Sequence, residues 1–239
     1  MNTDDFDDEV IPPVRLDVWA DIACPWCYLG SARLDKVLSE RKADGETIIV
    51  RHRPFELNPE LPPEGVSMKG FLEAQMGSAA AVKSAHEHLT SLGYKDGIEY
   101  DFDGVGKAPN SRLAHHLVLT YDGDRRQRGI VRVLYKAYFS DGLDITDTQT
   151  LIDVVTATTG EGRHEVLARL ESPMDVLDEA LALGRRLGVS AVPTFVADTG
   201  MDIDPEIEIS SAAVYVQGAQ SPDILNEVID EAIRRSTAE

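Results

Sequence analysis

The chain has only two cysteines in 239 residues, too few for a disulfide-stapled scaffold and too few thiolates for a four-cysteine zinc site. Basic residues are also scarce, with 23 lysines and arginines against 42 aspartates and glutamates and a formal charge of −19. A polyanion repels phosphate backbones and anionic lipid, so nucleic acid and membrane surfaces are not expected partners. Part of the acidic excess is the run Asp4-Asp5-Phe6-Asp7-Asp8-Glu9 in a tail over 1–13, and the rest reads as a solvated surface. Acids stand where a secretory leader would carry basic and then apolar residues, and no apolar run reaches the length of a membrane span. The expectation is therefore a cytoplasmic protein, in a compartment where disulfides are mostly transient and catalytic. A chain this long buries a substantial core, and it suits one domain carrying an insertion better than two independent units.

What is present is the placement of the two cysteines, as Cys24-Pro25-Trp26-Cys27. Ahead of them, residues 15–20 alternate and are rich in strand formers; behind them, Leu29, Leu34, Val37 and Leu38 recur at helical spacing. A thiolate in the first turn of a helix faces unpaired N–H groups and the positive end of the macrodipole, which lower its pKa and make it nucleophilic. The second thiol, one turn on, is placed to resolve a mixed disulfide. Spacing alone leaves half of a metal site or ordinary buried residues open. Zinc normally takes four ligands, however, and no second cysteine pair exists, so no metal is expected.

Asp44-Gly45 ends the first helix, and residues 47–53 read as a second strand, parallel to the first across a right-handed connection. A polar, proline-rich stretch over 54–63 follows, after which strand signals cease. Helices are predicted near 67–92, 110–121, 127–140, 147–159, 162–170 and 173–187, with Asn110 and Ser111 as caps of the second. Strand signals return at 194–197 and 212–216, as an antiparallel hairpin. A last helix opens at Ser221-Pro222, a cap followed by the residue best tolerated at the first helical position. The order βαβ, helical insertion, ββα is that of an α/β thioredoxin fold with a large inserted α-helical subdomain. The thioredoxin-like part would span 14–63 and 188–236, and the insertion 64–187. Between the last two strands, Asp198, Asp202, Asp204, Glu206 and Glu208 lack the spacing of a calcium loop and read as a solvated acidic hairpin.

Several segments spread along the chain carry a family likeness: Asp21-Ile22-Ala23-Cys24-Pro25-Trp26-Cys27-Tyr28-Leu29-Gly30, Pro54-Phe55-Glu56-Leu57-Asn58-Pro59, Asn110-Ser111-Arg112-Leu113-Ala114-His115, Ala137-Tyr138-Phe139, Val192-Pro193-Thr194-Phe195 and Gly218-Ala219-Gln220. Together they resemble the DsbA-like group of the thioredoxin superfamily, most closely its FrnE-like branch. That branch is related to 2-hydroxychromene-2-carboxylate isomerases and kappa-class glutathione transferases. The resemblance implies a protein dithiol–disulfide oxidoreductase or isomerase, with Cys24 attacking, Cys27 resolving and Pro193 as a cis-proline opening the third strand. A proline there ends strand pairing and leaves the backbone of Val192 to pair with an extended substrate. Pro25, Trp26, Phe55, Asn58, Asn110, Val192 and Gln220 are the expected substrate-binding residues. Asp21 is a candidate to relay a proton to Cys27. His115 and His116 are adjacent on a helix and point in different directions, so one is expected at the surface and the other half-buried.

The isomerases and kappa transferases resemble this fold but use serine at the first motif position, so Cys24 points to thiol exchange. The alternative is a glutathione-dependent isomerase or transferase acting on an aromatic or polyketide-like molecule, and a third reading is a holdase-like binder. With no histidine in the motif, the Cys24 thiolate relies on the helix terminus. A smaller pKa depression than in strongly oxidising relatives is therefore expected, and a weaker oxidant with it. The expected partners are protein thiols and disulfides or glutathione, and the protein a monomer or homodimer. No bound cofactor is expected beyond the Cys24–Cys27 disulfide itself, with glutathione as a candidate reductant.

Overall fold

The computed structural model describes residues 14–199, 209–210 and 213–236. Its centre is a four-stranded sheet in the order β2-β1-β5-β6. Strand β1 (Val14–Ala20) leads through helix α1 (Pro25–Ala43) to β2 (Ile48–Pro54). The two strands pair in parallel, Val14 opposite Ile48 and Trp19 opposite Arg53. On the other side of β1, strand β5 (Thr194–Asp198) runs antiparallel, with Trp19 opposite Thr194, and β6 (Val214–Gln217) completes the sheet. Helix α9 (Pro222–Ser236) follows; its start is capped as the Ser-Pro step predicts, Ile224 N–H donating to Ser221 Oγ at 3.4 Å. The α/β thioredoxin-like fold with an inserted helical region is thus as expected.

Alternation along β1 gives the sheet two unlike faces. Leu16, Val18 and Ala20 belong to the main apolar core, with Leu29, Leu34 and Val37 of α1 and Leu225 and Ile229 of α9. The other face carries Arg15, Asp17 and Trp19. There Asp17 lies 2.7 Å from Arg15 Nε, 2.8 Å from Arg53 Nε and 3.6 Å from Arg51 Nε.

The chain between β2 and β5 forms a short ribbon, β3 (Val66–Ser67) with β4 (Lys107–Ala108), and helices α2 (Met68–Met76), α3 (Ala79–Lys95), α4 (Arg112–Leu119), α5 (Gln127–Phe139), α6 (Thr148–Thr159), α7 (Arg163–Leu170) and α8 (Asp175–Arg186). Helix α8 lies over the charged face, where a Cβ on Gly184 would stand 3.0 Å from Trp19 Nε1. The ribbon corrects the expectation that strands cease there; two residues a side are too few to show an alternation. The single helix expected over 67–92 is two. Gly77 takes a left-handed φ of +80° that ends α2, and Ser78 Oγ accepts Ala81 N–H at 3.2 Å to begin α3.

Two burial expectations are also corrected. His115 and His116 are both buried, because α4 is packed by α5, β2, α7 and α8 together and has no solvent side at that turn. Asp198 is not solvated but 1 % exposed, accepting from Ser210 N–H at 2.8 Å and from Arg15 at 3.3 Å. The acidic tail 1–13 and the carboxylates Asp202, Asp204, Glu206 and Glu208 lie outside the described residues.

Candidate redox site

The sequence forces a helix start at the cysteines. Pro25 occupies the first helical position, where its missing N–H costs nothing. Cys24 before it is extended (φ −100°, ψ 113°) and acts as the N-cap. Its Sγ accepts the Cys27 N–H at 3.3 Å, as a serine cap would. Both cysteines are free and buried, and Cys24 N–H donates to Asp21 O at 3.1 Å, which closes the turn between β1 and α1. Burial pushes the Cys27 thiol well above its ordinary pKa, and the hydrogen bond and charge of Cys24 push the same way. Of the intervening residues, Trp26 is exposed and its ring lies 6.0 Å from that of His88 on α3. The Pro25 carbonyl accepts the Tyr100 hydroxyl at 2.7 Å.

Further along the same helix, Gly30 sets what can approach it. A Cβ at Gly30 would stand 3.0 Å from Pro193 Cγ and 3.1 Å from Phe195 Cζ, so the absence of a side chain there lets the start of β5 pack tightly on α1. The Val192–Pro193 peptide is cis, and Val192 precedes Thr194, the first paired residue of the strand. Gly218 N–H donates to the Pro193 carbonyl at 2.7 Å, and Arg33 of α1 donates to the carbonyls of Ala219 and Gln220. The redox helix, the cis-proline and the 218–220 turn therefore form one bonded unit. Gln220 itself turns back to Gln217 O at 2.6 Å.

Asp21 is fully buried beside this turn. Its Oδ1 accepts from Ala23 N–H at 2.9 Å and its Oδ2 from Leu57 N–H at 2.7 Å, while His115 Nε2 lies 3.3 Å from Oδ1. Burial raises the carboxyl, but the hydrogen bond and charge of His115 with the two N–H groups outweigh it and hold Asp21 below its ordinary pKa.

The other sequence-marked residues hold loops. Phe55 N–H donates to Ala20 O at 3.1 Å, and Asn58 accepts from Gln75 of α2 at 3.3 Å. Asn110 donates to Leu61 O at 2.7 Å and accepts Arg112 N–H at 3.0 Å, opening α4. Phe55, Asn58 and Asn110 are not in the wall of the large cleft, about 1030 Å³, that opens between α2, α3 and residues 100–105. Leu72, Val82, His86, Tyr100 and Phe102 line that cleft, with His86 stacked on Phe102 at 4.1 Å. Sequence reasoning missed Tyr100, Gly30 and the partner of Asp21. Gly30 sits inside a helical stripe, where a glycine is tolerated at a cost of about 1 kcal/mol relative to alanine.

This arrangement defines a thioredoxin-fold thiol–disulfide protein. Residues 15–230 match the DSBA-like thioredoxin domain, and the chain belongs to that family. A probable DsbA oxidoreductase from Streptomyces coelicolor is similar in structure, with a TM-score of 0.72 and 26 % identity over 92 % of this chain and 89 % of that one. A 2-hydroxychromene-2-carboxylate isomerase shares the fold, with a TM-score of 0.65 and 16 % identity over 94 % of this chain and 98 % of the other. In sequence the chain is 23 % identical to the uncharacterized protein YwbO of Bacillus subtilis, over 77 % of this chain and 86 % of that protein.

Proposed function

We propose that this chain is a dithiol–disulfide oxidoreductase of the FrnE-like type that exchanges disulfides with protein thiols, with glutathione as a candidate reductant, in a cytoplasmic setting. The observation that carries the reading is Cys24 as the cap of α1, its sulfur accepting the Cys27 N–H at 3.3 Å. In the reducing direction the Cys24 thiolate attacks a substrate disulfide and a substrate thiolate leaves. Cys27 then loses its proton and attacks Cys24 Sγ, and the second substrate thiolate leaves as the Cys24–Cys27 disulfide closes. Run backwards, the same steps oxidise a dithiol; stopping at the mixed disulfide and returning isomerises one.

Within this reading the edge at Val192 takes an extended substrate, and the exposed Trp26 offers an aromatic face. Insulin reduction with dithiothreitol tests it. The Cys24→Ser protein should lose activity to background, and Cys27→Ser should accumulate a mixed disulfide with the substrate. Unchanged reduction by Cys24→Ser would sink the proposal. Titration of the pair in glutathione buffers then assigns the direction of exchange.

The aromatic cleft favours one second reading, a glutathione-dependent isomerase or transferase of small aromatic molecules. A thiol count that finds no reversible disulfide in the wild type would shift the weight to it.

A further inference from the structure

Arg33 stands on α1 beside Gly30, three residues on and so on the same face of the helix. It reaches off that face in two directions. Its Nε donates to Asp96 Oδ2 at 2.8 Å, and its Nη1 donates to the carbonyls of Ala219 and Gln220. Asp96 closes α3, its own N–H donating to Gly93 O at 2.8 Å. Ala219 and Gln220 belong to the turn whose Gly218 N–H holds the Pro193 carbonyl at 2.7 Å. One guanidinium thus spans the redox helix, with the helical insertion on one side and the cis-proline on the other. Asp96 is already answered without it, since Lys36 Nζ lies 2.6 Å from its Oδ1. Burial raises the Asp96 carboxyl, but the hydrogen bonds of Lys36 and Arg33 outweigh it and hold Asp96 below its ordinary pKa, so the bridge is ionised at neutral pH.

We propose that Arg33 is a positioning residue that sets the width of the substrate entrance, holding the Val192 edge and the Trp26–His88 side of α3 at the separation that an extended peptide needs. The inference rests on the thiol-exchange reading and deepens it by naming the substrate class, a disulfide carried on extended polypeptide. Trp26 stands against His88 of α3 with 6.0 Å between the rings, and Val192 stands just before the first paired residue of β5. These are the two sides between which a peptide passes on its way over the start of α1. Arg33 touches neither sulfur nor substrate; it acts through the 218–220 turn and through the end of α3.

The task suits arginine. Its planar fork offers donors in two directions at once, whereas a lysine ammonium is a point charge that would answer the carboxylate or the carbonyls. The pair is also shielded, the side chains of Arg33 and Asp96 being 15 % and 11 % exposed, so solvent and salt weaken it little. The other hydrogen bonds of the turn are local or run to Pro193: Gln220 N–H donates to Gly218 O at 2.8 Å, and Gln220 Nε2 to Gln217 O at 2.6 Å. Neither of these ties the turn to α1 or to the insertion, and Arg33 supplies the bonds that do.

The test oxidises reduced full-length protein with two different disulfides. One is a pair of extended peptides joined by a single disulfide; the other is 2-hydroxyethyl disulfide, which has no peptide backbone to lie along the edge. Single-turnover rates over rising concentration give a half-saturating concentration and a limiting rate for the peptide pair, and a second-order rate constant for the small disulfide. Arg33→Met should raise the half-saturating concentration of the peptide pair about tenfold and leave its limiting rate within about twofold. The same variant should react with 2-hydroxyethyl disulfide within about twofold of the wild type. Asp96→Asn keeps the carbonyl bonds and loosens only the end of α3, so its half-saturating concentration should rise about threefold. An unchanged half-saturating concentration in Arg33→Met overturns the proposal, and so does equal slowing with both disulfides, which would mark a general loss of structure. If Arg33→Met does not fold, an unchanged value in Asp96→Asn overturns it. Failure of the wild type to be oxidised by either disulfide would instead bring down the thiol-exchange reading, before any variant is compared.

Discussion

Asp17 and Asp21 are buried to the same degree, each 1 % exposed, at the middle and just past the end of one strand. Their partners differ in kind. Asp17 sits among the guanidinium groups of Arg15, Arg51 and Arg53. That cluster ties β1 to β2 through side chains on one face of the sheet. Asp21 is held by the N–H groups of Ala23 and Leu57 and by the His115 ring, so it ties α4 and the chain after β2 to the redox turn. The difference teaches that burial alone does not say what a carboxylate is for; what it joins does.

The strongest way to break this contrast is Asp17→Ala, which removes the carboxylate shared by the three arginines. About 3–5 kcal/mol of stability should be lost, read by chemical denaturation, with the rate of disulfide closure unchanged per folded molecule. A loss below about 1 kcal/mol would mean the cluster behaves as a solvated surface network, and the contrast would collapse.

Next in size is His52, buried on β2. Burial and then Arg128 lower it from 6.5 to about 4. The unfolded chain therefore binds a proton between those values that the folded one does not, so stability falls as pH drops from 6.5 toward 4 and is fully present above 6.5. The slope amounts to a loss on the order of 3 kcal/mol across that window. Thermal melts of His52→Leu should show the window flattened. A flat wild-type profile would mean that His52 is hydrated well enough to titrate normally.

Asp21→Asn should have a smaller effect, about 2 kcal/mol at pH 7, from losing charge-assisted hydrogen bonds. Because its folded pKa lies below 3.8, its contribution is present above that value and lost as pH falls through the lowered one. The gap between variant and wild type should then close in acid. If Asp17→Asn rather than Asp21→Asn changed the rate of disulfide exchange, the two roles would be reversed.

What was legible in the sequence was local. The cap at Cys24 with Pro25 behind it, the Ser221-Pro222 start of α9 and the strand opened by Pro193 each follow from the backbone chemistry of one or two residues. The charged face was not read from the sequence; the register that sets Asp17 opposite Arg51 shows Arg15, Asp17, Arg51 and Arg53 meeting. The partner of Asp21 was not legible. His115 is 94 residues away, and no periodicity says which of two adjacent histidines turns inward when the helix is enclosed on all sides. The β3–β4 ribbon and the break at Gly77 escaped because each rests on a very short stretch of chain.

Gly30→Ala sharpens the comparison from the substrate side, since it disturbs the joint between α1 and Pro193 without touching either aspartate. The added methyl, 3.0 Å from Pro193 Cγ and 3.1 Å from Phe195 Cζ, should cost about 1–2 kcal/mol and slow exchange with protein substrates. Full stability with full activity would show that β5 can shift away from the helix.

The smallest expected effect is the most selective. Tyr100→Phe keeps the rings that pack against Tyr28, 5.5 Å away edge-on, and against Phe102, stacked at 4.8 Å. It removes only the hydroxyl that donates to the Pro25 carbonyl at 2.7 Å. One neutral hydrogen bond of this kind contributes about 1 kcal/mol or less to stability, so melting should hardly move. The carbonyl it releases belongs to the turn between the cysteines, so any loss should fall on the rate at which Cys24 attacks and not on the proton step at Cys27. A Tyr100→Phe protein with an unchanged attack rate would show that the Pro25 carbonyl is satisfied without the hydroxyl, and the side-chain hold on the redox turn would then lie with Asp21, through Ala23 N–H, and not with Tyr100.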